Sequence, residues 1–219
     1  MSNENLISEI HSYGLNQKTR EIYLHGHYGE YDEAPGVEYR MATSFVKNLH
    51  YLQCKSDSDI LIHMHTIGGN WHDGMGIYNA IQFSPCHITI LAYASVSSMS
   101  SIVLQAADTR VLMPDCEFMI HFGSIALDGE SLTVESNAEQ NKKSNDRMLD
   151  IYSEKCAFGK FFKQNYKNNS KSRTKKYLRD MINKSGDWYM SSAEAVNHGF
   201  ADAVLGDRNY KDLKNVKSR

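Results

Sequence analysis

Proline is scarce in this sequence, three in 219 residues, and no stretch rich in glycine, serine and proline divides it. Without a linker the length suits one large domain. We therefore expect a single domain over 1–219, with its core at about 20–205. Cysteine is sparse too: Cys54, Cys86, Cys116 and Cys156 form no CxxC pair, which excludes the common zinc and thioredoxin-like spacings. No excess of one charge exists, since 24 Lys and Arg face 26 Asp and Glu for a net charge of −2. Neither nucleic acid nor a membrane surface is favoured as a partner. No apolar run is long enough for a membrane span, and the opening "MSNENLISEIHS" is too polar for a signal peptide. The cysteines then read as reduced and mostly structural, in a reducing compartment such as a cytoplasm. The basic end, 206–219, reads as a solvated tail.

Periodicity is what the chain does have. In "YRMATSFVKNLHYLQ" (39–53), Met41, Phe45, Leu49 and Leu52 recur at helical spacing, which predicts a helix. "DILIHMHT" (59–66) alternates and predicts a strand. The next segment, "GGNWHDGMGIYNAIQFS", is helical, with Met75, Tyr78 and Ile81 on one stripe. "CHITILAYAS" predicts a second buried strand, running into a helix that carries Ile102, Val103 and Ala106. "TRVLMP" and "EFMIHF" predict two more short strands. Strand, glycine turn, helix, strand is the pattern of parallel βαβ units, whose sites lie at the carboxyl ends of strands.

From 132 onward the chain is polar. "ESNAEQNKKSNDRMLDIYSEKC" predicts a long exposed helix whose stripe Met148, Leu149, Ile151 and Tyr152 is too narrow for a core and suits contact with another subunit. "KQNYKNNSKSRTKK" (163–176) reads as a charged connector. Ser191 and Glu194 are spaced as a capping box, with Gly199 as the helix stop.

One stretch asks for chemistry. "YASVSSMSSIVLQAAD" (93–108) places five serines where a strand runs into a helix, although serine is a mediocre helix former. A serine becomes a nucleophile only when a base takes its proton and donors hold the resulting oxyanion. His121 follows Ser98 by 23 residues, at the end of "EFMIH", and Gly68-Gly69 sits at a neighbouring strand end, where bare backbone can approach a carbonyl. Asp108, Asp115 and Asp187 are all candidates for an acid, and spacing does not choose among them.

These segments carry a resemblance. "SSMSSIVLQAADTRVLMPDCEFMIH" resembles the run from the Ser-Met nucleophile to "RVMIH" in ClpP, the proteolytic subunit of the Clp protease. "TIGGNWHDGMGIYNAIQF" is similar to that family's "SPGG…AGxxIYDxMQ", and "DWYMSSAEAVNHGFADAVL" to its "DxFxSAxEAxxYGLxDxI". The resemblance implies an α/β fold, the spiral of βαβ units shared with crotonases, with a helical handle at about 132–160. It implies Ser98 as nucleophile, His121 as base and Asp187 as the acid orienting it. Oxyanion donors would be the N–H groups of Gly69 and Met99, and Gly68, Phe122 and Gly123 would bind substrate backbone. It further implies unfolded polypeptide substrates, a homo-oligomeric ring (a heptamer, stacked as a tetradecamer), and an AAA+ unfoldase that alone uses ATP. The subunit would need no cofactor, in keeping with the lack of a GxxxxGK[ST] motif.

The departures are specific. Ile67 replaces the family's proline, Phe122-Gly123 its Gln-Pro, and Ser185-Gly186 an Asp-Arg pair used between rings. Such divergence would suit a phage-encoded member, including one that matures a capsid. Two rivals need no triad: a crotonase-type acyl-CoA enzyme and an inactive ring subunit. His63 with His65, and His25 with His27, form strand pairs able to chelate, but no carboxylate or cysteine sits at matching spacing and no metal is expected. Tyr23, Tyr28, Tyr31 and Tyr39 read as surface and interface contacts.

Overall fold

Residues 60–66 alternate between two environments: Ile60, Ile62 and Met64 enter the main core, while Leu61 enters a smaller cluster on the opposite side. A strand buried on both faces belongs inside a covered, mostly parallel sheet. The computed structural model, which describes residues 3–25 and 36–217, has it there.

In chain order the elements are α1 (Asn3–Tyr13), β1 (Leu15–Asn16), β2 (Glu21–His25), α2 (Tyr39–Gln53), β3 (Ile60–Thr66), α3 (Trp71–Gln82) and β4 (Ile88–Ser97). Then come α4 (Met99–Leu104), β5 (Thr109–Leu112), β6 (Glu117–Ile120), α5 (Ser131–Cys156), α6 (Lys160–Asn165) and a 3-10 turn (Lys167–Asn169). The last are α7 (Lys171–Ser185), β7 (Trp188–Met190), α8 (Ser192–His198), β8 (Ala203–Val204) and α9 (Leu213–Lys217). The sheet order is β1-β2-β3-β4-β5-β8, with β6 branching from the end of β4 and β7 pairing with β6. Strands β2 to β5 and β8 are parallel, whereas β1 and β7 are antiparallel to their neighbours. This is the α/β class expected from the strand–turn–helix pattern.

Helix α2 follows its expected stripe, burying Met41, Phe45, Leu49 and Leu52, and the Glu38 carboxylate accepts the N–H groups of Arg40 and Met41 at its start. In α3 the buried face is Gly74, Ile77, Tyr78 and Ile81, so Met75 is only partly covered. Helix α4 stops at Leu104, leaving Ala106 just beyond it. The capping box of α8 forms, with Gly199 left-handed at φ 84°.

Three sequence expectations need correction. The stripe on α5 does not meet another subunit, because Met148, Leu149, Ile151 and Tyr152 are buried within this chain. Tyr152 Oη lies 2.6 Å from Ser101 Oγ, and burial holds that phenol well above its usual range. The helix changes character midway: none of residues 131–147 is buried, and only its last turns enter the core. The segment 163–176 is no connector, since most of it belongs to α6 and α7. Phe162, Leu178 and Ile182 enter the main core there, spaced so that charge between them hides the stripe. The basic end is not simply solvated. Tyr210 and Val216 pack on Leu61, Leu91, Val111 and Ala203, a sheet face that would otherwise expose apolar surface to water.

Candidate active site

Strand register assembles the site. β4 and β6 run parallel with Ser97 beside Met119, and the Ser98 N–H donates to the Met119 carbonyl at 3.0 Å. β7 runs antiparallel to β6 with Trp188 opposite Ile120. One step further out, His121 and Asp187 must therefore face each other. His121 Nδ1 is 3.1 Å from Asp187 Oδ1, and His121 Nε2 is 2.8 Å from Ser98 Oγ. A carboxylate only accepts, so Nδ1 carries the ring proton and Nε2 accepts from the serine hydroxyl. The imidazole is about a quarter exposed and the carboxylate about half.

Trp188 fixes the acid's end of this chain. Its indole lies among Tyr177, His198 and Phe200, with ring centroids 5.3 to 6.3 Å away. Through Tyr177, the charged region after α5 thus joins α8 in the platform that holds Trp188, the neighbour of Asp187.

Ser98 sits at the turn from β4 into α4 with φ 54° and ψ −125°. Such a backbone in a non-glycine residue stores roughly 1–3 kcal/mol of strain, and a sharp strand-to-helix turn projects its side chain outward. The surroundings hold it there. Besides the Met119 bond, the Ser98 carbonyl accepts from the Ser101 N–H at 3.1 Å. Gly68 backs the turn closely enough that a Cβ on it would stand 2.7 Å from Ser98 Cβ and 2.9 Å from Met99 N.

The neighbouring serines are occupied elsewhere. Ser100 Oγ donates to the Thr66 and Ser97 carbonyls, Ser101 Oγ to the Ser98 carbonyl, and Ser95 and Ser97 pair at 3.1 Å. Of the three acids, Asp187 alone is bonded to His121. Asp108 instead accepts the Ile88 N–H at 2.8 Å, and Asp115 lines a separate surface pocket with Cys116 and Glu194.

Ser98 and His121 open onto a cleft of about 590 Å³ that is bordered by Gly69, Met99 and Gly123. Gly69 forms a bridge with Val37, which fixes the main chain on that rim. Gly68 and Phe122 do not border the cleft: the Gly68 carbonyl accepts the Val37 N–H, and Phe122 packs on the core. Gly123 does, yet its two main-chain groups are taken. Its N–H donates to Asn145 Oδ1 at 2.8 Å and its carbonyl accepts from Asn141 Nδ2 at 3.2 Å.

Sequence reasoning missed this clasp and the aromatic platform. Its signal was present as neutral residues spaced three and four apart along α5. Gly186, where the resembled family carries a charge, ends α7 with φ 70° and an N–H bond to Ile182.

His63 and His65 share a strand face, but His63 is bonded to Glu21 and Tyr93. His27, Tyr28 and Tyr31 lie outside the described residues. Among the described residues no group of three His, Cys, Asp or Glu is arranged to hold a metal, and no helix is long and apolar enough to cross a membrane.

Comparison with known proteins gives a consistent result. The family model described as Clp protease matches residues 33–208. The ATP-dependent Clp protease proteolytic subunit of Deinococcus radiodurans is 28% identical over 172 residues, covering 77% of this chain and 76% of that protein. Subunit 2 of the same name from Pseudomonas aeruginosa is 23% identical over 190 residues, 86% of this chain and 82% of its own. The Streptococcus uberis subunit is 24% identical over 180 residues, with coverage of 80% and 83%.

Proposed function

The chain belongs to the Clp protease family, and from that premise we propose that it is a serine endopeptidase with Ser98 as nucleophile, His121 as base and Asp187 as orienting acid. One observation carries the reading: an unbroken hydroxyl–imidazole–carboxylate chain of 2.8 and 3.1 Å at the mouth of an open cleft. Ser98 Oγ attacks the peptide carbonyl while His121 Nε2 takes its proton. The N–H groups of Gly69 and Met99, on the cleft rim, hold the oxyanion, each such donor contributing about 2.7–4 kcal/mol in comparable sites. His121 then gives the proton to the leaving amine, and water repeats the cycle on the acyl-enzyme. Asp187 fixes the tautomer throughout and stabilises the imidazolium as it forms.

The substrates are unfolded polypeptides, delivered by an AAA+ unfoldase that hydrolyses ATP, while the subunit itself uses no cofactor. The relatives' names, ATP-dependent proteolytic subunits, support that division of labour. The working form is a homo-oligomeric ring, a heptamer able to stack as a tetradecamer, in a reducing cytoplasm. Unburied α5 from 131 to 147 supports an assembly role for that half of the helix.

The test compares cleavage of a quenched fluorescent peptide and an unfolded protein by wild type and Ser98→Ala. A loss of about 10⁴-fold or more in kcat is expected with light scattering unchanged at ring mass. Retained cleavage in the variant would refute the nucleophile, and a wild-type monomer at micromolar concentration would refute the ring.

A further inference from the structure

We propose that the cleft selects substrates by an uncharged, hydrogen-bonding side chain, a carboxamide or a hydroxyl, at the cleaved position; this inference rests on the serine-peptidase reading of the same site. The first observation is electrostatic. Among the described residues, no Asp, Glu, Lys or Arg lines the cleft, although these residues make up 23% of the chain. Helix α5 sorts its residues to achieve this. Asn137, Gln140, Asn141, Ser144 and Asn145, spaced three and four apart, line the cleft. Glu139, Lys142, Lys143, Asp146 and Arg147 line a different surface hollow, beside Arg179, and Asp146 is held there by Lys175 and Arg179. A charged substrate side chain entering the cleft would shed water and meet, among the described residues, no carboxylate, ammonium or guanidinium lining it.

The second observation is the clasp on Gly123. An N–H needs an acceptor and a carbonyl needs a donor, so the two bonds define which atom of each amide is oxygen and which is nitrogen. Asn145 Oδ1 and Asn141 Nδ2 are committed to Gly123. Asn141 Oδ1 and Asn145 Nδ2 are not used by the clasp and form a fixed acceptor and donor on the wall. Trp71, Met99, Ile102, Ile125, Leu127 and Met148 give the cleft its apolar floor. A carboxamide side chain lays its methylenes on that floor and its amide against the wall. A purely hydrocarbon side chain strips water from the wall amides and returns no hydrogen bond, and sites built to bond a polar group discriminate strongly against analogues lacking it.

The experiment uses internally quenched peptides identical except at the cleaved residue, which is Gln, Ser, Leu, Glu or Lys. Values of kcat/KM are measured with wild type, Gln140→Leu and Ser144→Leu, and Ser98 labelling by a fluorophosphonate is followed in parallel. Wild type is expected to cut the Gln peptide at least tenfold faster than the Glu, Lys or Leu peptides. Either substitution is expected to raise Leu relative to Gln by fivefold or more. If Ser98 labels normally but Leu is preferred, or Glu and Lys are cut within twofold of Gln, the selectivity inference is overturned and the peptidase reading stands. If Ser98 neither labels nor supports any cleavage, the peptidase reading falls and takes this inference with it.

Discussion

Two histidines in this chain hold the same kind of hydrogen-bond chain, in very different settings. His121 joins Ser98 to Asp187. His63 joins the Tyr93 hydroxyl, 2.8 Å from Nδ1, to the Glu21 carboxylate, 3.3 Å from Nε2. The second chain lies mid-strand, with His63 and Glu21 side chains 8% and 4% exposed. Tyr23 stacks flat on the imidazole at 4.6 Å and donates its hydroxyl to Glu21 at 3.2 Å. None of these four residues lines the cleft. A hydroxyl, an imidazole and a carboxylate in series therefore do not make a site by themselves. The His121 chain adds a strained turn that projects the hydroxyl, a rim of backbone N–H groups, and room for a peptide. The His63 chain has instead the marks of a structural polar network, with its imidazole and carboxylate buried and away from the cleft.

Removing the carboxylate from each chain separates the two roles most sharply. Asp187→Asn is expected to lower kcat by about 10⁴-fold, because the wrong imidazole tautomer is then favoured, with Tm nearly unchanged. Glu21→Gln is expected to leave kcat/KM within about twofold and to cost about 1–3 kcal/mol of stability, since it weakens a buried network. For a chain of this size that is about 2–4 °C in Tm per kcal/mol. The opposite pattern, activity lost with Glu21 and stability lost with Asp187, would break the comparison.

A pH experiment sharpens it further. Burial, and then the charge of Glu21, push the Tyr23 phenol up to about 12, from about 10 in an unfolded chain. Because the folded form holds this proton longer, its contribution to stability is complete below about pH 10 and is lost as pH rises toward 12. Glu21→Gln removes the charge but not the burial, so denaturation midpoints between pH 10 and 12 should fall less in the variant than in wild type. Equal slopes would mean that Glu21 does not act on Tyr23.

The smallest effect is expected at Ser97, whose hydroxyl pairs with that of Ser95. Ser97→Ala should cost less than about 1 kcal/mol and leave peptide cleavage within about threefold. A loss comparable to that of Ser98→Ala would mean that the turn, rather than one hydroxyl, carries the reaction.

Helix 39–53 and strand 60–66 are legible in the sequence because each carries one clean period, of helix or of strand, with buried residues on schedule. Ser98 and His121 are legible through the motifs around them. The partnership of His121 with Asp187 depends on the antiparallel register of three-residue β7, which no local period reveals. Only the resemblance singled out Asp187 among three acids. Residues 160–185 were obscured because Phe162, Tyr177, Leu178 and Ile182 are embedded in lysine and arginine, so the stripe is outweighed in any local average. The Asn141–Gly123–Asn145 clasp was hidden for another reason: it depends on where a long helix crosses a loop, which is a property of tertiary structure.

Mass-spectrometric mapping of a fluorophosphonate adduct tests the central claim most directly. A single adduct on Ser98 is expected in wild type, with much slower labelling in Asp187→Asn and undiminished labelling in Glu21→Gln. An adduct on Tyr93 or on another serine, or an unmodified Ser98 in the folded protein, would contradict it.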